Sequence, residues 1–137
     1  MKYALFFSLL LLFSCSTSND AVPNDNGLAG IWRLTTYCKP ASNSTCTSTT
    51  VPAGKNVFVF FGNDGTFNEA YENTKPMDYS FLGCGSGSYS IEGDKIRIRA
   101  LCMSSLSGQV YDIVSTSTNQ FVMNPLGTTG NYLFVRK

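Results

Sequence analysis

GSYSIEGDKIRIRALC, residues 87–102, decides the fold class. Ile96 and Ile98 alternate with Arg97 and Arg99, a period of two that puts the isoleucines on one face of a strand and both guanidiniums in water. Just upstream, Tyr89 and Ile91 alternate in the same way with Ser88, Ser90 and Glu92. Gly93-Asp94 between the two runs supplies the backbone freedom of a tight turn. A two-residue turn sets Ile91 beside Ile96 and Tyr89 beside Ile98, all on one face, so pattern and register agree on a hairpin.

The neighbouring segments read alike. NVFVFFGNDGTFNEAYE, residues 56–72, breaks at Asn63-Asp64-Gly65. That break fits a type I turn with Gly65 in a left-handed bulge and sets Phe61 opposite Phe67, a second hairpin. In its first strand Val57, Val59 and Phe61 share one face and Phe58 and Phe60 the other; both faces are apolar, which leaves the inward side open. GIWRLTTYC (30–38), QVYDIVSTS (109–117), NQFVMN (119–124) and NYLFVRK (131–137) are further short β-rich runs between Ser, Thr, Asn and Gly signals. There is no helical pattern of ordinary length and no internal repeat. Eight strands at meander spacing predict an all-β sandwich or closed barrel.

The amino terminus has a different character. The apolar run from Ala4 to Phe13 is interrupted only by Ser8 and is too short to span a bilayer. Lys2 before it and Ser14 after it complete the layout of a secretory signal. Leu12-Phe13-Ser14-Cys15 resembles the lipobox of bacterial lipoproteins, which implies cleavage before Cys15 and acylation of that cysteine; a plain signal peptide is the rival reading. The expected organisation is a signal peptide over 1–14, a lipid-anchored flexible linker over 15–27 and a barrel domain over 28–137. The linker STSNDAVPNDNG has neither helical nor strand periodicity. The expected location is the cell envelope, as an outer-membrane-anchored lipoprotein with the membrane as partner through Cys15.

Ten basic and nine acidic residues leave the chain near neutrality, with no block of like charge that would suit nucleic acid, so none is expected as a partner.

The ends of the domain favour a barrel over a sandwich. Gly30-Ile31-Trp32 resembles the Gly-x-Trp signature of lipocalins, and Arg136 matches the basic residue that packs across that tryptophan. An up-and-down barrel brings its first and last strands together, so Trp32 and Arg136 meet at the seam. With Phe61 to Phe67 as a FxxDGTF hairpin and Tyr132, Phe134 and Arg136 as a YxFxR end, the chain resembles the small lipocalin-like lipoproteins of Bacteroidota over nearly all of 28–137. The resemblance implies an eight-stranded antiparallel up-and-down β-barrel in which Gly30, Trp32 and Arg136 form a structural plug. It implies no particular activity, because the family is defined by fold.

Cys38, Cys46, Cys84 and Cys102 are an even set in an exported chain, which favours two disulfides among three connectivities. Strands of alternating direction carry all four to the open end. Cys84 and Cys102 flank the Gly93 turn symmetrically, which favours their pairing and leaves Cys38 with Cys46. There is no Cys-x-x-Cys spacing and no histidine in the chain. Neither a metal site, nor a Cys/His pair, nor a Ser/His/Asp triad is therefore expected, and no cofactor, catalytic residue or enzymatic activity. Glu69 and Glu72 are separated by an odd number and point to opposite faces, with Glu69 on the side of Phe67 and Tyr71.

Two classes of function remain. In one, the barrel holds a small hydrophobic or amphipathic ligand against Leu34, Phe67, Tyr71, Tyr89, Ile98, Tyr111 and Phe134. In the other, the barrel is filled and its rim contacts an envelope protein, for example as a hydrolase inhibitor. Cavity volume divides them, because eight strands enclose just enough space for side chains or for one small ligand. Loops 39–54 and 74–85 are the expected variable elements of the rim, the first of them held by the Cys38–Cys46 bridge.

Overall fold

The computed structural model describes residues 27–40, 46–79, 85–124 and 130–137. The signal segment, Cys15, the linker up to residue 26 and Cys84 lie outside them. Among the described residues nine strands follow one another: β1 (Gly30–Pro40), β2 (Cys46–Thr50), β3 (Asn56–Phe61), β4 (Thr66–Glu72), β5 (Ser86–Glu92), β6 (Lys95–Ala100), β7 (Gln109–Thr116), β8 (Gln120–Asn124) and β9 (Tyr132–Arg136). The sheet order is β2-β1-β3-β4-β5-β6-β7-β8-β9, and β9 returns to pair with β1. Eight strands thus close an antiparallel up-and-down barrel; β2 stands outside the ring.

Both hairpins have the registers that their sequences dictate. Ile91 pairs with Ile96 and Tyr89 with Ile98, and Phe61 pairs with Phe67. Gly93 and Gly65 take φ values of 68° and 81°, the left-handed region that glycine enters without a Cβ clash. Asp64 Oδ1 accepts from the Thr66 amide at 3.0 Å and steadies the second turn. In β3 the inward side is Val57, Val59 and Phe61, all buried, while Phe60 is exposed.

One strand departs from the expected pattern. The stretch 39–54, read from its Ser, Thr and Pro content as a loop, contains β2. The cause lies in β1, which at eleven residues outruns the barrel wall. Thr36 pairs with Leu133 of β9 and with Thr50 of β2, so β2 occupies the same edge of β1 that β3 uses from Gly30 to Arg33. Beyond Arg33 this edge would be an open row of amide and carbonyl groups, and the β-branched run of β2 covers it.

The register of β1 against β9 shifts between Leu34 and Thr36. A bulge of this kind reverses which residues face inward. Trp32 and Leu34 face the core below it, and Tyr37 does so above it, with Cys38 turned to the other side of the β1–β2 ribbon.

Aromatic rings fill the closed end. Trp32 lies 5.9 Å from Phe121, Phe121 stacks 5.5 Å from Phe134, and Phe61 meets the edge of Tyr89 at 4.9 Å. The Trp32 Nε1–H donates to the Leu28 carbonyl at 2.6 Å, which satisfies its one polar atom in the core.

Candidate functional site

The mouth of the barrel is capped from within the chain. Pro76–Tyr79 forms a short 3-10 turn inside the expected rim loop 74–85, and it lowers Tyr79 into the opening. The Tyr79 ring meets Tyr37 edge-on at 4.9 Å and stacks on Tyr71 at 6.4 Å. Its hydroxyl lies 2.8 Å from Thr74 Oγ1. From the opposite wall, the Tyr132 hydroxyl reaches the carbonyl oxygens of Cys38 at 3.0 Å and Tyr79 at 3.3 Å. The cap is therefore hydrogen-bonded to β9 and packed against β1.

Beneath the cap the interior is packed. Leu34, Phe67, Ile98, Tyr111 and Phe134 point inward with no more than 2% of their surface accessible, and Tyr89 with 4%. A hollow wide enough for water would leave accessible area on these side chains. The residues expected as a ligand wall lie on the inner face, where all but Tyr71 belong to the buried core. Tyr71 is the exception and is half-buried, as is Glu69 two residues before it.

These two form the polar step in the wall. The Tyr71 hydroxyl donates to Glu69 Oε2 at 2.7 Å, and the same oxygen accepts from the Gly85 amide at 3.3 Å. Glu72, on the other face, instead accepts from Asn56 Nδ2 at 2.8 Å. Burial raises the Tyr71 pKa well above that of an ordinary phenol, and the hydrogen bond and charge of Glu69 raise it further. Tyr111 is pushed up to about 12, first by burial and then by the charge of Glu69. Both phenols stay protonated near neutral pH and act as hydrogen-bond donors.

Cys38 and Cys46 form a disulfide with their Cα atoms 5.4 Å apart. It ties the two strands diagonally, since Cys38 stands opposite Ser48 and Cys46 opposite Pro40. Cys102 is also disulfide-bonded; Cys84, its expected partner, lies outside the described residues. Among the described residues no group of three or more acidic, histidine or cysteine side chains is arranged to hold a metal ion. No helix among them is long and apolar enough to cross a membrane.

Gly30, Trp32 and Arg136 come together at the opposite end. The Arg136 guanidinium covers the Trp32 ring, and a Cβ on Gly30 would fall 2.5 Å from Arg136 Nη1.

Open clefts line the outer surface. One of about 500 Å³ sits over the cap, between the β1–β2 ribbon, the 51–55 connection and the 3-10 turn, and takes in Tyr37, Lys39, Lys55 and Tyr79. Another, of about 370 Å³, lies beside the β6–β7 connection, where Leu101 and Leu106 are fully exposed. Sequence reading missed the first cleft. Tyr37 and Lys39 enter it only through the bulge in β1, and the one available signal for the cap was a lone tyrosine three residues after Pro76.

A protein-family model described as a lipocalin-like domain matches residues 28–123. Among solved structures, a lipocalin-like protein from Bacteroides uniformis ATCC 8492 shares 16% identity, covering 81% of this chain and 99% of its own, with a TM-score of 0.43. An uncharacterized protein from Bacteroides eggerthii DSM 20697 shares 14% identity, covering 80% of this chain and 98% of its own, with a TM-score of 0.40. No curated protein matches the chain.

Proposed function

The chain belongs to the lipocalin-like domain family, and from that premise we propose that it is a non-catalytic binding module of the cell envelope, tethered through an acylated Cys15, that recognises its target with the rim of its mouth. The barrel then serves as a rigid support. The observation that supports this reading is the packed interior, where Leu34, Phe67, Ile98, Tyr111 and Phe134 are at most 2% accessible and Tyr89 is 4% accessible. An envelope protein is the partner class that suits a rim of this kind, with a hydrolase as one instance.

A second reading, a small hydrophobic ligand inside the barrel, draws on the half-buried Tyr71 and Glu69 in the inner wall. Native mass spectrometry of the protein purified from its own source separates the two. The rim reading expects the mass of the acylated chain with nothing retained. A co-purifying apolar molecule that is lost on Phe134→Trp, which overfills the interior, would establish the interior site instead. The tether is tested separately, since Cys15→Ala is expected to move the protein out of the membrane fraction, and retention after a carbonate wash would end that part of the proposal.

A further inference from the structure

β3 is apolar on both of its faces, and the core takes only one. Val57, Val59 and Phe61 are buried inside, while Phe58 and Phe60 stand on the outer wall, where an antiparallel sheet ordinarily turns polar side chains to solvent. The strand register sets Ile31 of β1 beside Phe60, Arg33 beside Phe58, and Ala70 of β4 on the other side of Phe58. Ile31 is 44% and Phe60 40% exposed; Ala70 is exposed and Phe58 half-buried. Together they floor a shallow cleft of about 280 Å³, bordered by Lys137, which follows β9, and by Glu72 of β4. Charge is divided across this face: Arg33 and Lys137 stand on its β1–β9 side, Glu72 on its β4 side, and the apolar floor lies between. Among the described residues the ion pairs join Lys95 to Asp112 and Arg97 to Glu92, so these three charges are in none.

From this arrangement we infer that the outer face of β1, β3 and β4 is a homodimer interface, covered by the same face of a second copy related by a two-fold axis along the barrel. That rotation exchanges the two sides of the face. Arg33 and Lys137 of each copy then lie on the side of Glu72 of the other, while Phe58 and Phe60 meet their own equivalents at the centre. A two-fold axis across the strands sets cation against cation instead. Other occupants match one sign of charge but not both: an anionic lipid surface repels Glu72, and the linker STSNDAVPNDNG has two acidic residues and no basic one to offer it. The axis along the barrel also turns both mouths one way and brings both closed ends, where Arg136 holds the Gly27 carbonyl, to one side. Two copies anchored through Cys15 in one membrane require that orientation, and the tether concentrates them there. Both rims stay free for the partner proposed above.

Sedimentation velocity of the acylated full chain at about 100 µM, in detergent density-matched to the solvent, tests the inference. The expected protein mass is that of two chains. Phe60→Ser, Arg33→Glu and Glu72→Arg are each expected to sediment as one chain. An equimolar mixture of the two charge variants is expected to return to two, because the reversed charges again lie opposite each other. Arg33 and Glu72 are exposed, so the charge variants carry the test even if Phe60→Ser weakens the barrel. A parent that sediments as one chain, a dimer that survives either charge variant, or a mixture that stays monomeric overturns the inference. None of these results touches the rim reading, which native mass spectrometry tests; there a dimer has twice the mass of the acylated chain with nothing added.

Discussion

Arg136 and Trp32 are direct partners across the seam between β9 and β1, and the guanidinium carbon lies 4.3 Å from the centre of the indole ring. The same guanidinium group donates to the carbonyls of Gly27 at 2.6 Å, Ala29 at 2.9 Å and Thr118 at 2.6 Å. One side chain thus ties the start of the domain, its last strand and the β7–β8 turn, while covering the largest ring of the core. Planar donors and a stacking face are both needed, which lysine does not offer.

Trp32→Ala is therefore expected to destabilise the domain by about 3–5 kcal/mol, the range for a large aromatic removed from a packed core. Gly30→Ala should cost about 1–3 kcal/mol, because φ is 136° there and the added Cβ would meet Arg136 Nη1 at 2.5 Å. Urea titration of each variant measures both. A loss below 1 kcal/mol for Trp32→Ala would contradict the role assigned to the plug.

Phe134→Ala probes the packing of the interior. In a filled barrel it removes a ring stacked on Phe121 at 5.5 Å and leaves a void, so a cost of about 3–5 kcal/mol is expected. Benzene should then bind the variant and not the parent. Binding of benzene by the parent protein would show a hollow core.

Reduction of the Cys38–Cys46 bridge acts on the ribbon before the ring. The bridge spans a sequence separation of 8, worth about 2–3 kcal/mol on the chain-entropy account. Hydrogen exchange under mild reductant should rise at 36–40 and 46–50 while residues 95–100 stay protected. A Cβ on Gly130 would collide with both sulfurs of the bridge, and with Cys46 Cβ at 2.5 Å. Gly130→Ala should accordingly make the bridge more easily reduced, and an unchanged thiol titre under mild reductant would refute that contact.

The tyrosines predict an alkaline limit to stability. Tyr111 has a pKa of about 12 in the folded state, above the ordinary phenol value, so folding favours its protonated form. That contribution is complete below about pH 10, the unfolded value, and is lost as the pH climbs towards 12. Tyr71, raised further, continues the loss beyond that range. Glu69→Gln removes a charge that raises both phenols, so tyrosinate absorbance at 295 nm should appear at lower pH while the barrel is still folded. No change in that titration would separate Glu69 from the two tyrosines.

The strand hairpins were legible in the chain because their causes are local, and the plug because Gly30-Ile31-Trp32 and Arg136 resemble the lipocalin signature. Alternation of Ile96 and Ile98 with arginines and a glycine where φ must be positive leave little choice of register. The inward face of β3 was not legible, since Val57, Val59 and Phe61 compete with Phe58 and Phe60, and only contact with the rest of the ring selects between two apolar sides. Nor was β2, whose polar Thr-rich sequence becomes a strand because β1 outruns the wall and leaves an edge to cover. The cap and its cleft depend on still more distant partners: Tyr79 meets Tyr37, Tyr71 and Tyr132 across the mouth. Whether the barrel is hollow follows from side-chain volumes contributed by every strand at once, a sum that no single stretch of the chain contains.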